Sequence, residues 1–589
     1  MEPAENTSAD WRELIADLRA ARDALALEQA ADALTTKAME LHELGRHDDA
    51  IQALEAILRD SDRAANSALR QRAVHLWAKH GFMLGYRGQF DAAQRLFQAA
   101  ISGAEGADDP SLRAPLATAL RGRATTLESM TRNDEALVAF DELIRMFGAD
   151  DAADVRDDVV RAHIQRAILL GELGQSDEAL AQLDNVIGAQ GASMQDQAYL
   201  DHVDWALSSK VELLKRLGRP LTAVATTIDL VERRVQASDE VPDINLWYAL
   251  HEAQDVQCES PEQLEAVAQI WKDCIARCAG TSTVGLRWLT ANALIALAHA
   301  NESLKRIDAM ANAYDEAFRR ECDAGEPAMR AIAVKALQLK AYRLRHYNRH
   351  AESLAANGEI MRRFGHHSSG ELAVAVAQAM SHQAVVYAEL AQPELALSVR
   401  TALIERLKPA DEPELREIAT DALLAIGSEL HARGSDAEAI AAWSRLIADY
   451  GSTSQESGVR GADQTMSDKL LEESVEQNVI HALERLASMF LSEGRASGSG
   501  AERSRLCAEA KSRLERLVEI GADRRRLRLL AFTCHLAGDP QAACGFLEQA
   551  LAMAASDDTR RGDDELDAMS RDPTFEAFVR DLGFGKVLG

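Results

Sequence analysis

Small and large apolar residues recur along the chain at spacings of 3 and 4, the period of a helix, and the pattern itself repeats. Ala50, Ala93, Ala136, Ala179, Ala223, Ala266, Met310, Ser353, Ala396 and Ala439 stand 43 or 44 residues apart, mostly small, each following a turn-like segment. Twelve residues before each lies a second row: Ala38, Gly81, Ala124, Ala167, Val211, Gln254, Ala298, Ala341, Ala384 and Gly427. Three residues further on comes a larger apolar row, Leu41, Leu84, Leu127, Leu170, Leu214, Leu344, Tyr387 and Leu430, interrupted at Gln257 and Asn301. Two antiparallel helices approach closely only where small side chains face each other, with larger apolar groups filling the space beside the contact. The rows therefore predict one helical hairpin copied many times.

The turn of the hairpin has its own signal. Gly45, Gly88, Gly174, Gly218 and Gly434 precede the small residue of the second helix by five positions, where a helix end favours a left-handed residue. Asp or Ser then restarts the chain, as in GRHDDAIQAL, GQFDAAQRLF, GQSDEALAQL and GSDAEAIAAW. Gly, four residues, Ala, three residues, then Leu54, Phe97, Leu183 or Trp443 resembles the tetratricopeptide repeat (TPR) signature, and the resemblance covers most of the chain. The family's basic unit is about 34 residues, so the longer step here implies longer second helices or linkers. HEAT repeats share the longer period but lack this Gly-to-Ala turn register. The resemblance implies an all-α α-solenoid, a right-handed superhelix of antiparallel helix pairs with a groove lined by the first helix of each pair.

The pattern lays out an N-terminal capping helix in residues 1–30 and ten TPR-like helix pairs over 31–451. A loop and lead-in follow at 452–477, then two divergent pairs at 478–556 and a C-terminal capping helix and tail at 557–589. The sixth pair departs from the rule, with Pro261 in place of the turn glycine and Gln254 and Gln257 on its rows. After Gly434 the turn glycine is expected at Gly494, followed by an enlarged turn in RASGSGAERSR, and register resumes at Gly538. Asp572 and Pro573 open a last helix that packs Phe575 and Phe578.

Composition narrows the function. With 589 residues, 12 Pro and 5% aromatics, the chain is too long for one closed core and too poor in turn residues for a sheet-rich fold. A net charge of −29 spread along the length disfavours nucleic acid. The seven cysteines lack paired CxxC spacing, so reduced thiols are expected, and Cys274 and Cys278, one helical turn apart, are assigned to helix packing. His366 and His367 lie in a linker without further ligands nearby, so no metal is expected. The first thirty residues have no signal-type apolar core and no later run approaches a membrane span, which points to a cytoplasmic location. The local signatures of phosphate loops, zinc proteases, serine hydrolases and dinucleotide folds are missing from the sequence, so neither catalysis nor a cofactor is expected.

Binding remains. In the TPR family, positions three before, one after and four after the small first-helix residue commonly face the groove. Carried onto this chain they include Arg121, Glu128, Lys215, Tyr342 and Arg345, with Trp205, Arg216 and His346 adjacent and Arg161 and Lys335 a turn further back. The arginines and lysines would place local positive charge inside an acidic molecule, suited to a carboxylate or acidic peptide, with solvated helix faces the plainer reading. The family's carboxylate clamp, Lys with Asn along consecutive first helices, is not visible. The expected function is a non-catalytic interaction scaffold or adaptor that binds a protein or peptide partner along the groove, with neither nucleic acid nor membrane. The alternative is a peptide-responsive regulatory sensor controlling a transcription factor or enzyme, an option weakened by the lack of an accompanying helix-turn-helix domain.

Overall fold

A computed structural model describes residues 11–21, 24–44, 46, 48–50, 52, 53, 55–57, 67–104, 110–150, 152–188, 197–237, 244–254, 258, 260–407, 412–451, 466–553, 569 and 571–582. The expectations on Gly45, Leu54 and Gln257, and those on 1–10, 452–465 and most of 554–589, lie outside the described residues. Among the described residues every regular element is a helix, and the chain divides into two units, Met1–Ala296 and Leu297–Gly589. None of these helices is long and apolar enough to cross a membrane.

Within each unit the helices run as antiparallel pairs of TPR type, stacked as in an α-solenoid. In the first unit Ser67–Tyr86 pairs with Phe90–Ala104, Arg113–Ser129 with Asn133–Phe147, Ala153–Glu172 with Ser176–Gly188, and Gln197–Arg216 with Pro220–Ala237. In the second, Pro327–His346 pairs with His350–Phe364, Gly370–Glu389 with Pro393–Leu407, and Pro413–Ala432 with Asp436–Tyr450. Each first helix also contacts the first helix of the next pair, which sets these helices side by side.

One backbone turn closes nearly every pair. The amide two residues past the helix cap donates to the carbonyl of the larger apolar row: Gln89 to Leu84 at 2.9 Å, Gln175 to Leu170 at 2.9 Å, Arg349 to Leu344 at 2.9 Å, Ser435 to Leu430 at 2.9 Å. The residue between them is left-handed, as this motif demands. Gly88, Gly174, Gly218 and Gly434 fill that place with φ between 63 and 81°. The same place is held by Thr131 (φ 59°), Lys305 (φ 60°), Asn348 (φ 58°) and Ala391 (φ 54°), where the sequence shows no glycine. The turn is therefore imposed by the packing of the pair, against the local preference of those side chains.

The small rows are buried for the reason anticipated. Ala93, Ala136, Ala179, Ala396 and Ala439 are 0% exposed, as are Ala124, Ala167, Ala341 and Ala384 on the facing helices. Four residues beyond the second-helix row, size is matched to the partner. Phe97 fills the space left by Gly81 and Gly122, where an added Cβ would stand 2.6 and 2.2 Å from its ring, and Trp443 fills that of Gly427. Burying such a ring contributes about 2–3 kcal/mol, so an alanine at Gly81 would displace a main packing element.

The irregular pairs find local solutions. Pro261 is the first residue of helix Pro261–Arg277, and Ser260 and Gln263 form a capping box at its start. Gln254 donates its amide to Asn292 O at 3.2 Å, and buried Asn301 donates back to Leu297 O at 2.9 Å, so both polar row members are satisfied. Helix Met466–Ala496 occupies the later part of the stretch read as loop and lead-in. Gly494 lies inside this helix and is not a turn residue: a Cβ there would meet Cys507 Sγ at 3.2 Å, so its smallness serves helix approach. The connection to Gly500–Ile520 is only residues 497–499. At the far end Asp572 caps Pro573–Asp581 by accepting Thr574 N at 2.9 Å and Phe575 N at 3.1 Å, and Phe575 packs 5.0 Å from Phe532. At the near end Trp11 and Leu18 of helix Trp11–Ala20 are buried in the first unit's core.

Candidate functional site

The side-by-side first helices carry most of the residues expected to face a groove, and their chemistry differs between the units. In the first unit Asp158, 4% exposed on helix Ala153–Glu172, accepts Arg121 Nε at 2.6 Å and the Thr118 hydroxyl at 2.5 Å. Both donors come from the preceding first helix. The Arg121 guanidinium also lies 4.8 Å above the Phe82 ring. The neighbouring Asp157 accepts Arg161 Nε at 2.8 Å and His202 Nε2 at 2.5 Å, the latter from the next first helix, Gln197–Arg216. Burial opposes ionisation of Asp157, yet hydrogen bonds from His202 and Arg161 hold its carboxyl below the usual range. Arg121 and Arg161 are thus engaged in a network that bridges three successive first helices.

Other expected residues of this unit scatter. Trp205 is half-buried against the cluster of Ile164, Ala167, Leu183 and Val186. Lys215 Nζ meets Glu252 Oε1 at 2.6 Å, and exposed Arg216 lies over Gly171. Glu128 is half-buried with no side-chain hydrogen bond or ion pair among the described residues. Burial, reinforced by the nearby Glu172 carboxylate, pushes its carboxyl up to about 7.

The second unit holds an open cleft of about 310 Å³. One wall is Lys335, Gln338, Leu339 and Tyr342 of the first helix Pro327–His346, the other Gln378, Ala379 and His382 of Gly370–Glu389, and Asn357 of the second helix lies between them. Tyr342 is 45% exposed, and its ring stands 4.8 Å from His346 and 6.2 Å from His382. Gln338 and Gln378 join the walls by a 2.8 Å hydrogen bond. Arg345, in contrast, is clamped to Glu389 by bonds of 2.7 to 2.9 Å.

His382 is the polar centre of the cleft. Burial, with the positive charge of Arg345, drives its pKa down to about 4, so the ring is neutral near pH 7. The Asn357 amide donates to Nδ1 at 3.0 Å, which assigns the ring proton to Nε2. That buried N–H has no partner among the described residues. An unpaired buried donor costs about 1–3 kcal/mol, a cost that a ligand acceptor would remove.

No protein-family model and no curated protein matches the sequence. Solved structures similar to the chain include the Naa15/Naa10 complex bound to HypK-THB, at 11% identity over 95% of this chain and 98% of that one, with a TM-score of 0.27. Importin beta matches at 13% identity over 97% of this chain and 69% of its own, with a TM-score of 0.42. The P58(IPK) TPR domain matches at 15% identity over 69% and 98%, with a TM-score of 0.18. The architecture rests on the turns and buried rows described above.

Of the ten residues singled out from sequence, Lys335 and Tyr342 line the cleft, and His346 packs on Tyr342. Asn357 and His382 were missed. The signal for Asn357 lay in its position: the place four residues after the small row is Phe97, Phe140 or Trp443 elsewhere, so a polar residue there is an exception with a neighbour to explain it. His382 had no comparable sign, because half-buried histidines are ordinary on any helix. His366 and His367 stack with ring centroids 4.1 Å apart, and among the described residues no group of three or more His, Cys, Asp and Glu is placed to hold a metal ion.

Proposed function

We propose that the chain is a non-catalytic scaffold that captures a protein or peptide partner in the first-helix groove of the second unit, around Tyr342 and His382. The observation that carries this reading is the cleft itself. An exposed aromatic ring, apolar stems and one unsatisfied buried N–H converge in it, the composition of sites that bind by shape and a few placed polar groups. Exposed tyrosines anchor interfaces at low conformational cost, and a donor aimed at a missing acceptor fixes a partner's register. The first unit's corresponding helices are cross-linked by their own ion pairs, which favours the second unit as the docking surface.

A photo-crosslinking amino acid at Gln378, compared with one at Glu352 on the second-helix face, tests the reading in the native host. The expected result is a discrete covalent adduct from position 378 that is weakened by Tyr342→Ala and missing from position 352. Equal adducts from both positions, or none from 378, would remove the groove as the site.

A further inference from the structure

We infer that the floor of this groove continues, one repeat beyond the cleft, into a carboxylate subsite at Arg400, and that its occupant is an acidic peptide segment; this rests on the groove reading above. Arg400 lies on helix Pro393–Leu407, on the same face as buried Ala396, Leu403 and Ile404, so its stem starts inside the packed interface. It stands 43 residues after Asn357, the floor residue of the cleft. Asn357 has His382 opposite, to which it is bonded at 3.0 Å. The residue 43 beyond His382 is Ala425, which offers no polar atom.

The Arg400 guanidinium consequently has no hydrogen bond or ion pair among the described residues. The one charge that attracts it, Glu429, is already held by Arg433 at 3.0 Å. Burial also disfavours the bare charge. A partly desolvated guanidinium without a direct ion pair is where an incoming carboxylate gains most, through paired N–H···O bonds in place of lost water. In a chain of net charge −29, long-range repulsion turns acidic segments away, so capture of one needs a local cation of this kind.

The two anchors define a peptide. Nε2–H of His382 takes a backbone carbonyl and Arg400 takes the side-chain carboxylate of Asp or Glu. Packed helices lie about 8–10 Å apart, and an extended chain rises about 3.3 Å per residue, so roughly three residues separate the two contacts. Ser381 and Val385, both half-buried, flank His382 in sequence on the same first helix.

Fluorescence polarisation of the full chain against two doubly capped, degenerate nonapeptide libraries, one with Glu fixed at the centre and one with Gln, tests the subsite. The Glu library is expected to bind about tenfold more tightly, the scale of one charge-assisted hydrogen bond. Arg400→Gln abolishes that difference and Arg400→Lys keeps part of it, while Tyr342→Ala weakens both libraries. Circular dichroism confirms that both Arg400 variants are folded. Equal binding of both libraries, still weakened by Tyr342→Ala, overturns the subsite and leaves the groove reading standing. A Gln library with a free C terminus that alone gains from Arg400 reassigns the carboxylate to a chain end and overturns the internal acidic segment. Binding of neither library overturns the subsite, and the crosslinking experiment then decides the groove.

Discussion

The first unit's groove helices and those of the second are built from the same hairpin, and they use their charges in opposite ways. In the first, Arg121 meets Asp158 and Asp157 meets both Arg161 and His202, so consecutive first helices are tied together by their own side chains. In the second, Arg345 is tied to Glu389 in the same manner, but His382 Nε2 and the Arg400 guanidinium are left with no partner among the described residues. Residue type does not separate these cases. What separates them is the facing first helix: Arg121 meets Asp158 there, whereas Arg400 has Ala425 at the place that His382 holds opposite Asn357. A repeat protein can thus leave a cation tied or open by changing a single residue on the helix that faces it.

The largest expected effect breaks the strut. Asp158→Ala leaves Arg121, whose side chain is 16% exposed, without its counter-ion, and should lower local stability by about 3–5 kcal/mol. Hydrogen exchange of the helices Arg113–Ser129 and Ala153–Glu172 in the full chain reads this directly, with exchange in the second unit unchanged. Replacing both partners at once, Arg121→Met with Asp158→Leu, should recover most of the loss, because no charge is then stranded. A loss below about 1 kcal/mol for Asp158→Ala would show that the pair is an ordinary surface contact and dissolve the contrast between the units.

How much of this could be read beforehand follows from the period. The hairpin, the small rows and the turn place were visible because each is repeated and any one copy can be noisy: Thr131 and Ala391 hide the turn, but Gly88 and Gly434 disclose it. Site residues carry no such redundancy. Arg121 and Arg161 looked like groove cations on their own helices, but Arg121 is occupied by Asp158 of the next first helix and Arg161 by Asp157 one turn back on its own. Gly494 misled for the same reason, since glycine serves both a left-handed turn and close helix approach, and the interior of helix Met466–Ala496 uses the second.

An intermediate effect comes from Glu128, an acid of the first unit with no hydrogen bond or ion pair among the described residues. Its folded carboxyl titrates near 7, above the ordinary value of 4.5, so the native state holds the proton more tightly than the unfolded chain. Stability is full below pH 4.5 and falls as pH rises through 7. With solvent screening at this half-exposed site, the loss is about 2 kcal/mol. Glu128→Gln removes the titration, so the variant should match wild type at pH 4 and exceed it by about 2 kcal/mol at pH 8, measured by urea denaturation. A variant that is equally stable at both ends would mean that Glu128 is solvated. The first unit's groove would then lose Glu128 as a titrating charge.

The smallest effect lies in the turns. Thr131 in the first unit and Lys305, Asn348 and Ala391 in the second occupy left-handed places that glycine holds in their sister repeats. A β-branched residue is the most strained there, asparagine the least, because its short amide tolerates that conformation. Glycine relieves the strain but gives the unfolded chain more freedom, so the gains are modest. Thr131→Gly should stabilise by about 1 kcal/mol, Lys305→Gly and Ala391→Gly by about half as much, and Asn348→Gly by almost nothing. Thermal melts of the four single variants would order them. If Asn348→Gly gained more than Thr131→Gly, conformational strain could not be what distinguishes these turns, and the side chains would have to be held by contacts that differ between the units.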